Sequence, residues 1–127
     1  MPQTAKVFLI LGGFNAALVV LFGAFGAHAL KARLSTEMLA VYQTGVHYHL
    51  FHALGLLAVG LVAMQIPGSA YLKWSGWLML IGIILFSGSL YVLSVSGQRW
   101  LGMITPFGGI SFIAAWILFV VAIVKSP

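Results

Sequence analysis

An all-α integral membrane four-helix bundle is what this 127-residue sequence predicts, and three observations carry the expectation. Hydrophobic residues make up 62% of the chain and charged residues only 6%, against roughly 25% charged in soluble domains. Four apolar runs, at about 7–29, 46–65, 74–95 and 106–124, approach the roughly 20 residues a helix needs to cross the hydrocarbon. None shows the apolar–polar alternation of barrel strands, and closed barrels are the one other way to satisfy a backbone in lipid.

A soluble fold of this length leaves much of its surface in water and has no room to hide so much apolar area. No linker-like stretch divides the chain, so residues 1–127 read as a single membrane domain. Cysteine is absent, which excludes disulfides, thiolate catalysis and Cys-ligated metal. The net charge of +5 comes from six scattered Lys and Arg. They form no concentrated basic face for nucleic acid and read instead as flanks of membrane spans.

The first run carries Ala27-His28-Ala29, which mimics a cleavage site, but it is longer than the roughly 7–15 residues of a signal core. Its small residues form two small-xxx-small pairs, Gly12/Ala16 and Gly23/Ala27, of the kind that let helix backbones approach closely. Asn15 lies midway along the same run; an amide exposed to lipid is costly, so it is expected to face another helix. In the connection between the first two runs, Ser35 and Thr36 are capping types with Glu37 just inside, where the helix dipole favours a carboxylate. Leu34, Met38, Val41, Tyr42 and Gly45 fall on one side. That pattern predicts a short amphipathic helix between helices 1 and 2, with an extended start of the second span as the other reading.

Pro67-Gly68 marks a turn before the third span, in which Gly88 is a further packing residue beside Ser87 and Ser89. The third connection holds Gly97, Gly102, Pro106, Gly108 and Gly109, which disfavour regular helix. Thr105 is then expected to cap the last helix, with Pro106 in its first turn. Arg99 nearby would strengthen an anion site at that helix start, but a bend that orients the last helix is the favoured account.

With four spans the termini share one side of the membrane with Lys6, Lys73 and Lys125, and Lys31, Arg33 and Arg99 lie opposite. The free amine tips the balance toward both termini in the cytoplasm. The second side is the polar end. It collects all four histidines and Glu37, and its candidate site residues are His28, His49, His52, Ser87, Ser89, Arg99 and Thr105. His49 and His52, three residues apart, project from one face of a helix, and His28 meets them if the first two helices are neighbours. Imidazoles so placed suit a metal or proton site, or paired haem ligands. Interfacial histidines bonded to neighbouring helices are the simpler account. Neither H-x-x-x-H nor H-E-x-x-H is present, and no metal or cofactor is assigned.

The stretches GAFGAHALK (23–31), YQTGVHYHLFHALGLLA (42–58), LFSGSLYVL (85–93) and TPFGG (105–109) together resemble the YgdD-type family of small inner-membrane proteins, which has eukaryotic transmembrane relatives. One departure is Tyr48-His49-Leu50-Phe51-His52, where members of that family tend to read Y-Q-x-x-H. The resemblance implies a four-helix bundle in the inner membrane and no defined activity. It singles out His28 and His52, then Ser87, Ser89, Thr105 and Pro106. The expected function is a non-enzymatic accessory or scaffold protein acting through helix packing. The expected partners are the lipid bilayer and other membrane subunits or further copies of the chain. The alternative is a small transporter or channel for a proton, metal ion or small solute, entered at the polar end.

Overall fold

A computed structural model describes every residue, Met1–Pro127, and contains helices and turns only. Four segments are long and apolar enough to cross a membrane: Gln3–Leu30, Thr36–Gln65, Ala70–Ser96 and Arg99–Val124. The last comprises a 3-10 turn, Arg99–Met103, followed by an α-helix, Thr105–Val124.

Local chemistry explains where most of these helices begin and end. Ser35 starts the second by accepting a hydrogen bond from the Met38 N–H at 3.1 Å, and Ser69 starts the third by accepting from Leu72 N–H at 3.2 Å. Gly97, at φ 74°, ends the third helix with its N–H on the Leu93 carbonyl at 2.8 Å. Gly68, at φ 84°, closes the turn after Pro67. Both adopt the left-handed conformation that a side chain penalises.

Two expectations are corrected here. No separate amphipathic helix stands between the first two spans, because Thr36–Gln65 is one continuous helix of 30 residues. Nothing after the Ser35 cap breaks it: the segment lacks proline, and Gly45 packs under the Tyr91 ring. At about 1.5 Å per residue it outruns a hydrocarbon core of about 30 Å, and its first turns carry the exposed Glu37, Gln43 and Thr44. Nor does Thr105 cap the last helix, which has no side-chain cap. Its hydroxyl is engaged by Ser89 instead. Pro106 does occupy the first turn.

The first helix packs chiefly on the second, the third on the fourth, and the second on the third, so two hairpins meet along one seam. Hydrocarbon provides no hydrophobic drive for helices to associate, so close contact depends on small residues. A side chain at Gly12 would meet the backbone and side chain of Leu57 at 2.8 Å, and one at Gly60 would meet Leu9. Gly76 accommodates Phe8, Gly82 accommodates Phe112, and Gly108 lies against the Phe86 backbone. The Gly23/Ala27 pair makes no such approach: Gly23 comes only within 3.7 Å of Val46, and Ala27 is exposed. Ala16 is half-buried, and Gly88 meets only its own helix's Ile83 carbonyl, at 3.8 Å.

Wide π turns interrupt two helices, at Gly26–Leu30 and Ile83–Ser87. Such a turn inserts an extra residue and rotates the rest of the helix about its axis. The second one keeps Gly82, Phe86 and Ser89 all directed at the fourth helix, against Phe112, Gly108 and Thr105 respectively. Outward, Ile10, Phe14, Val20, Ile84, Ile113 and Val120 are each more than half exposed, a belt that lipid solvates and water would not.

Gly108→Ala is expected to cost about 1–3 kcal/mol through overpacking against the Phe86 backbone. It should lower the thermal midpoint in detergent by several degrees. Gly13→Ala, with open space above its α-carbon, is expected to be neutral or slightly stabilising in the same melt.

Candidate functional site

The second helix carries two buried histidines, His49 and His52, and each centres a separate polar cluster. In the first, Asn15 donates its amide N–H to the Leu11 carbonyl at 2.8 Å, which leaves Oδ1 as an acceptor. His49 Nε2 lies 2.9 Å from that oxygen and therefore carries the proton. His49 Nδ1 is then the acceptor for the Tyr91 hydroxyl at 2.9 Å. Beside this chain, Tyr42 donates to the Phe22 carbonyl at 2.7 Å. Its ring lies over Gly26, where a side chain would strike it. The cluster ties the first three helices together through a neutral imidazole whose two nitrogens are both in use.

The second cluster reverses the tautomer. The indole N–H of Trp116 points at His52 Nε2 at 3.0 Å, so that nitrogen is bare and the proton sits on Nδ1. From there it is donated to the Tyr48 carbonyl at 2.8 Å. Phe112 stacks on the imidazole with centroids 3.4 Å apart and planes 5° from parallel. Trp116 and Phe112 belong to the fourth helix, so His52 links the two hairpins. The third and fourth helices exchange bonds of their own: Ser75 donates to the Ala115 carbonyl at 2.7 Å, and Ser111 donates to the Leu78 carbonyl at 2.6 Å. Ser89 spends its proton on the Phe86 carbonyl at 2.8 Å, so Thr105 donates to Ser89 across 2.6 Å.

The candidate residues of the polar end are thus not gathered into one site. His49 and His52 leave the same helix at adjacent angles but turn to different neighbours. The pairing with Asn15 sets His49 level with the middle of the first helix, below the rim where the sequence suggested it. His28 is exposed in the first π turn and joins neither cluster, and His47 is exposed as well. Arg99 does not serve the start of the last helix; it pairs with Glu37 at 3.4 Å, both side chains largely in solvent. Ser87 is fully buried with its hydroxyl unpartnered. No group of three or more metal-ligating side chains comes together.

Sequence reasoning missed Tyr42, Tyr91 and Trp116. Their signal was present, since a buried Tyr or Trp needs a partner for its polar tip, but nothing in one dimension pairs Tyr91 with His49 or Trp116 with His52. A lateral groove of about 570 Å³ opens between the second and fourth helices beside this last pair, walled by Tyr48, Phe51, Phe112 and Trp116 over a floor of Phe86.

Residues 22–109 match the family described as "Protein of unknown function (DUF423)". The chain belongs to that family. It is 53% identical over 120 residues to the UPF0382 membrane protein YwdK of Bacillus subtilis, covering 94% of this chain and 98% of the relative. The UPF0382 membrane protein SERP0230 of Staphylococcus epidermidis is 45% identical over 120 residues, covering 94% and 97%. The UPF0382 membrane protein SH2409 of Staphylococcus haemolyticus is 41% identical over the same coverage. No solved structure matches. With four membrane-crossing helices, the chain is a multi-pass membrane protein of a family whose biochemical activity is unknown.

Asn15→Leu leaves the His49 N–H without an acceptor in a buried setting, an expected loss of about 1–3 kcal/mol. In a double-mutant cycle, Asn15→Leu with His49→Phe should cost less than the two single losses added together. The difference should approach the upper end of the range for interhelical bonds in membranes, about 1–2 kcal/mol. Unfolding in mixed micelles reads all three variants.

Proposed function

We propose that the chain is a non-enzymatic accessory or scaffold protein, working through contacts between its first helix and a transmembrane helix of a partner subunit or second copy. The observation that carries this reading is Gly13. It is the one glycine within a helix that has nothing within 4 Å of where a side chain would begin. The others that lack such neighbours, Gly68 and Gly97, are turn residues with positive φ. A glycine inside a helix costs about 1 kcal/mol relative to alanine, and no contact within the chain accounts for this one. Ala17, one turn on, is also exposed, so Gly13-xxx-Ala17 presents a small-xxx-small face outward on a helix that packs chiefly on one neighbour.

The saturated histidines support the same reading. Both are committed to holding helices together, and a transport route through them would have to break those bonds at each passage. The likeness to the YgdD-type family supports placement in the inner membrane. Lys6, Lys73, Lys125 and the free amine support cytoplasmic termini, with Arg99 on the other side engaged by Glu37.

Gly13→Leu and Ala17→Leu are expected to abolish recovery of a cross-linked partner or dimer from native membranes while leaving the melting temperature unchanged. A wild-type chain that purifies as a lone monomer defeats the proposal. Because the chain has no cysteine, orientation is read by single replacements. Ser96→Cys should react with an impermeant maleimide on intact cells, and Ser126→Cys only after lysis.

A further inference from the structure

We propose that the lateral groove between the second and fourth helices binds a membrane-dissolved quinone, a neutral planar ring whose carbonyl oxygens accept hydrogen bonds from His47 and Tyr48. The groove and the Gly13 face belong to different helices, so this site and the scaffold reading can fail separately.

His47 is a lipid-facing polar residue that the bundle itself does not explain. It precedes His49 by two residues, about 3 Å at 1.5 Å per residue, and His49 meets Asn15 midway along the first helix. His47 therefore stands near the middle of the bilayer, yet its ring is exposed and bonds to nothing in the chain. Tyr48 is 45% exposed. Its ring rests against Phe86, with centroids 4.4 Å apart, and its hydroxyl is also without a partner. At a similar depth Asn15, His49 and His52 are all paired inside the protein. Unpaired polar groups in hydrocarbon are costly and mark sites or pathways.

Both free groups line the same concavity, a trough of about 570 Å³ that opens sideways to the lipid. Small-molecule sites span about 300–1,000 Å³ and combine apolar and aromatic walls with a few polar groups, often between the helices of a bundle. The trough has that composition, because Phe51, Phe86, Phe112 and Trp116 supply the remaining rings.

The chemistry of the lining selects the ligand. No Lys, Arg, Asp or Glu lines the trough, so a phosphate or carboxylate would lie there without a counter-charge. The His52 nitrogens and the Trp116 N–H are already bonded within the chain, which leaves His47 and Tyr48 to do the recognising. An imidazole carries at least one N–H in either protonation state, and a phenol carries an O–H. Both can donate, and a ligand with acceptor oxygens satisfies both. A saturated acyl chain satisfies neither. Aromatic walls favour a flat π system over a flexible chain. A ligand that enters from lipid, is neutral and flat, and bears carbonyl oxygens on its ring is a quinone.

Titration of the chain in phosphatidylcholine nanodiscs with a decyl-substituted benzoquinone tests this, read by quenching of tryptophan fluorescence, since Trp116 lines the groove. Wild type should quench saturably, and excess decylbenzene, which lacks the carbonyls, should not displace the quinone. His47→Leu and Tyr48→Phe should each weaken binding about fivefold, the worth of one hydrogen bond. Neither residue makes a side-chain hydrogen bond in the bundle, so both variants should melt as wild type does. Gly109→Leu, placed where a side chain would find only Phe86 at 3.9 Å, should fill the trough and abolish saturation. Val92→Leu, exposed on the third helix outside the lining, should bind as wild type. Quenching that rises linearly without saturating in the wild type overturns the proposal. Displacement by decylbenzene overturns it too, as does unchanged affinity in both folded polar variants. Disulfide-linked dimers of His47→Cys in native membranes also overturn it, because a second copy would then be the partner of these groups.

Discussion

Inside a bilayer no water is at hand to complete an unfinished hydrogen bond, and the interior of this bundle is organised around that fact. Asn15 sits halfway along the first helix, where its amide has to be satisfied by protein. Once one of its protons is given to the Leu11 carbonyl, the remaining oxygen dictates which His49 nitrogen is protonated, and His49 in turn dictates that Tyr91 donates. Three helices are held in a defined register by this chain of choices. His52 obeys the same logic with the opposite tautomer and brings in the fourth. The two imidazoles are therefore structural parts, neutral and fully engaged, three residues apart on one helix.

Close approach of backbones is the second condition, since lipid is as good a solvent for leucine as another helix is. Glycines supply it where the bundle is tightest, at Gly12 and Gly60 within the first hairpin and at Gly82 and Gly108 within the second. The π turn at Ile83–Ser87 keeps Gly82, Phe86 and Ser89 of the third helix against Phe112, Gly108 and Thr105 of the fourth. Aromatic residues fill the spaces between the hairpins, and where they bridge instead of filling, the lateral groove remains. Packing and groove are consequences of one arrangement, in which the second and fourth helices both lean on the third.

Much of the architecture was legible in the chain. The four spans, the turn at Pro67-Gly68, the cap at Ser35 and the need of Asn15 for another helix all come from local composition and from the cost of polar groups in hydrocarbon. The site was legible only in part. His49 and His52 were visible as polar residues in an apolar setting, but spacing alone suggested a shared face with His28, which the fold leaves exposed. Thr105 looked like a cap and Arg99 like an anion ligand. Their actual partners, Ser89 and Glu37, stand 16 and 62 residues away in the chain.

By itself the sequence determined that these helices live in lipid, where most of them begin and end, and which residues would be intolerable if left unpaired. Transfer of side chains from water to hydrocarbon depends on residue type, and so does capping, so both can be read from the letters. Only the tertiary structure decided which tyrosine reaches which histidine, which tautomer each ring adopts, and which glycines meet a neighbour. Those outcomes depend on the rotation and depth at which separate helices meet, and residues far apart in the chain set them jointly.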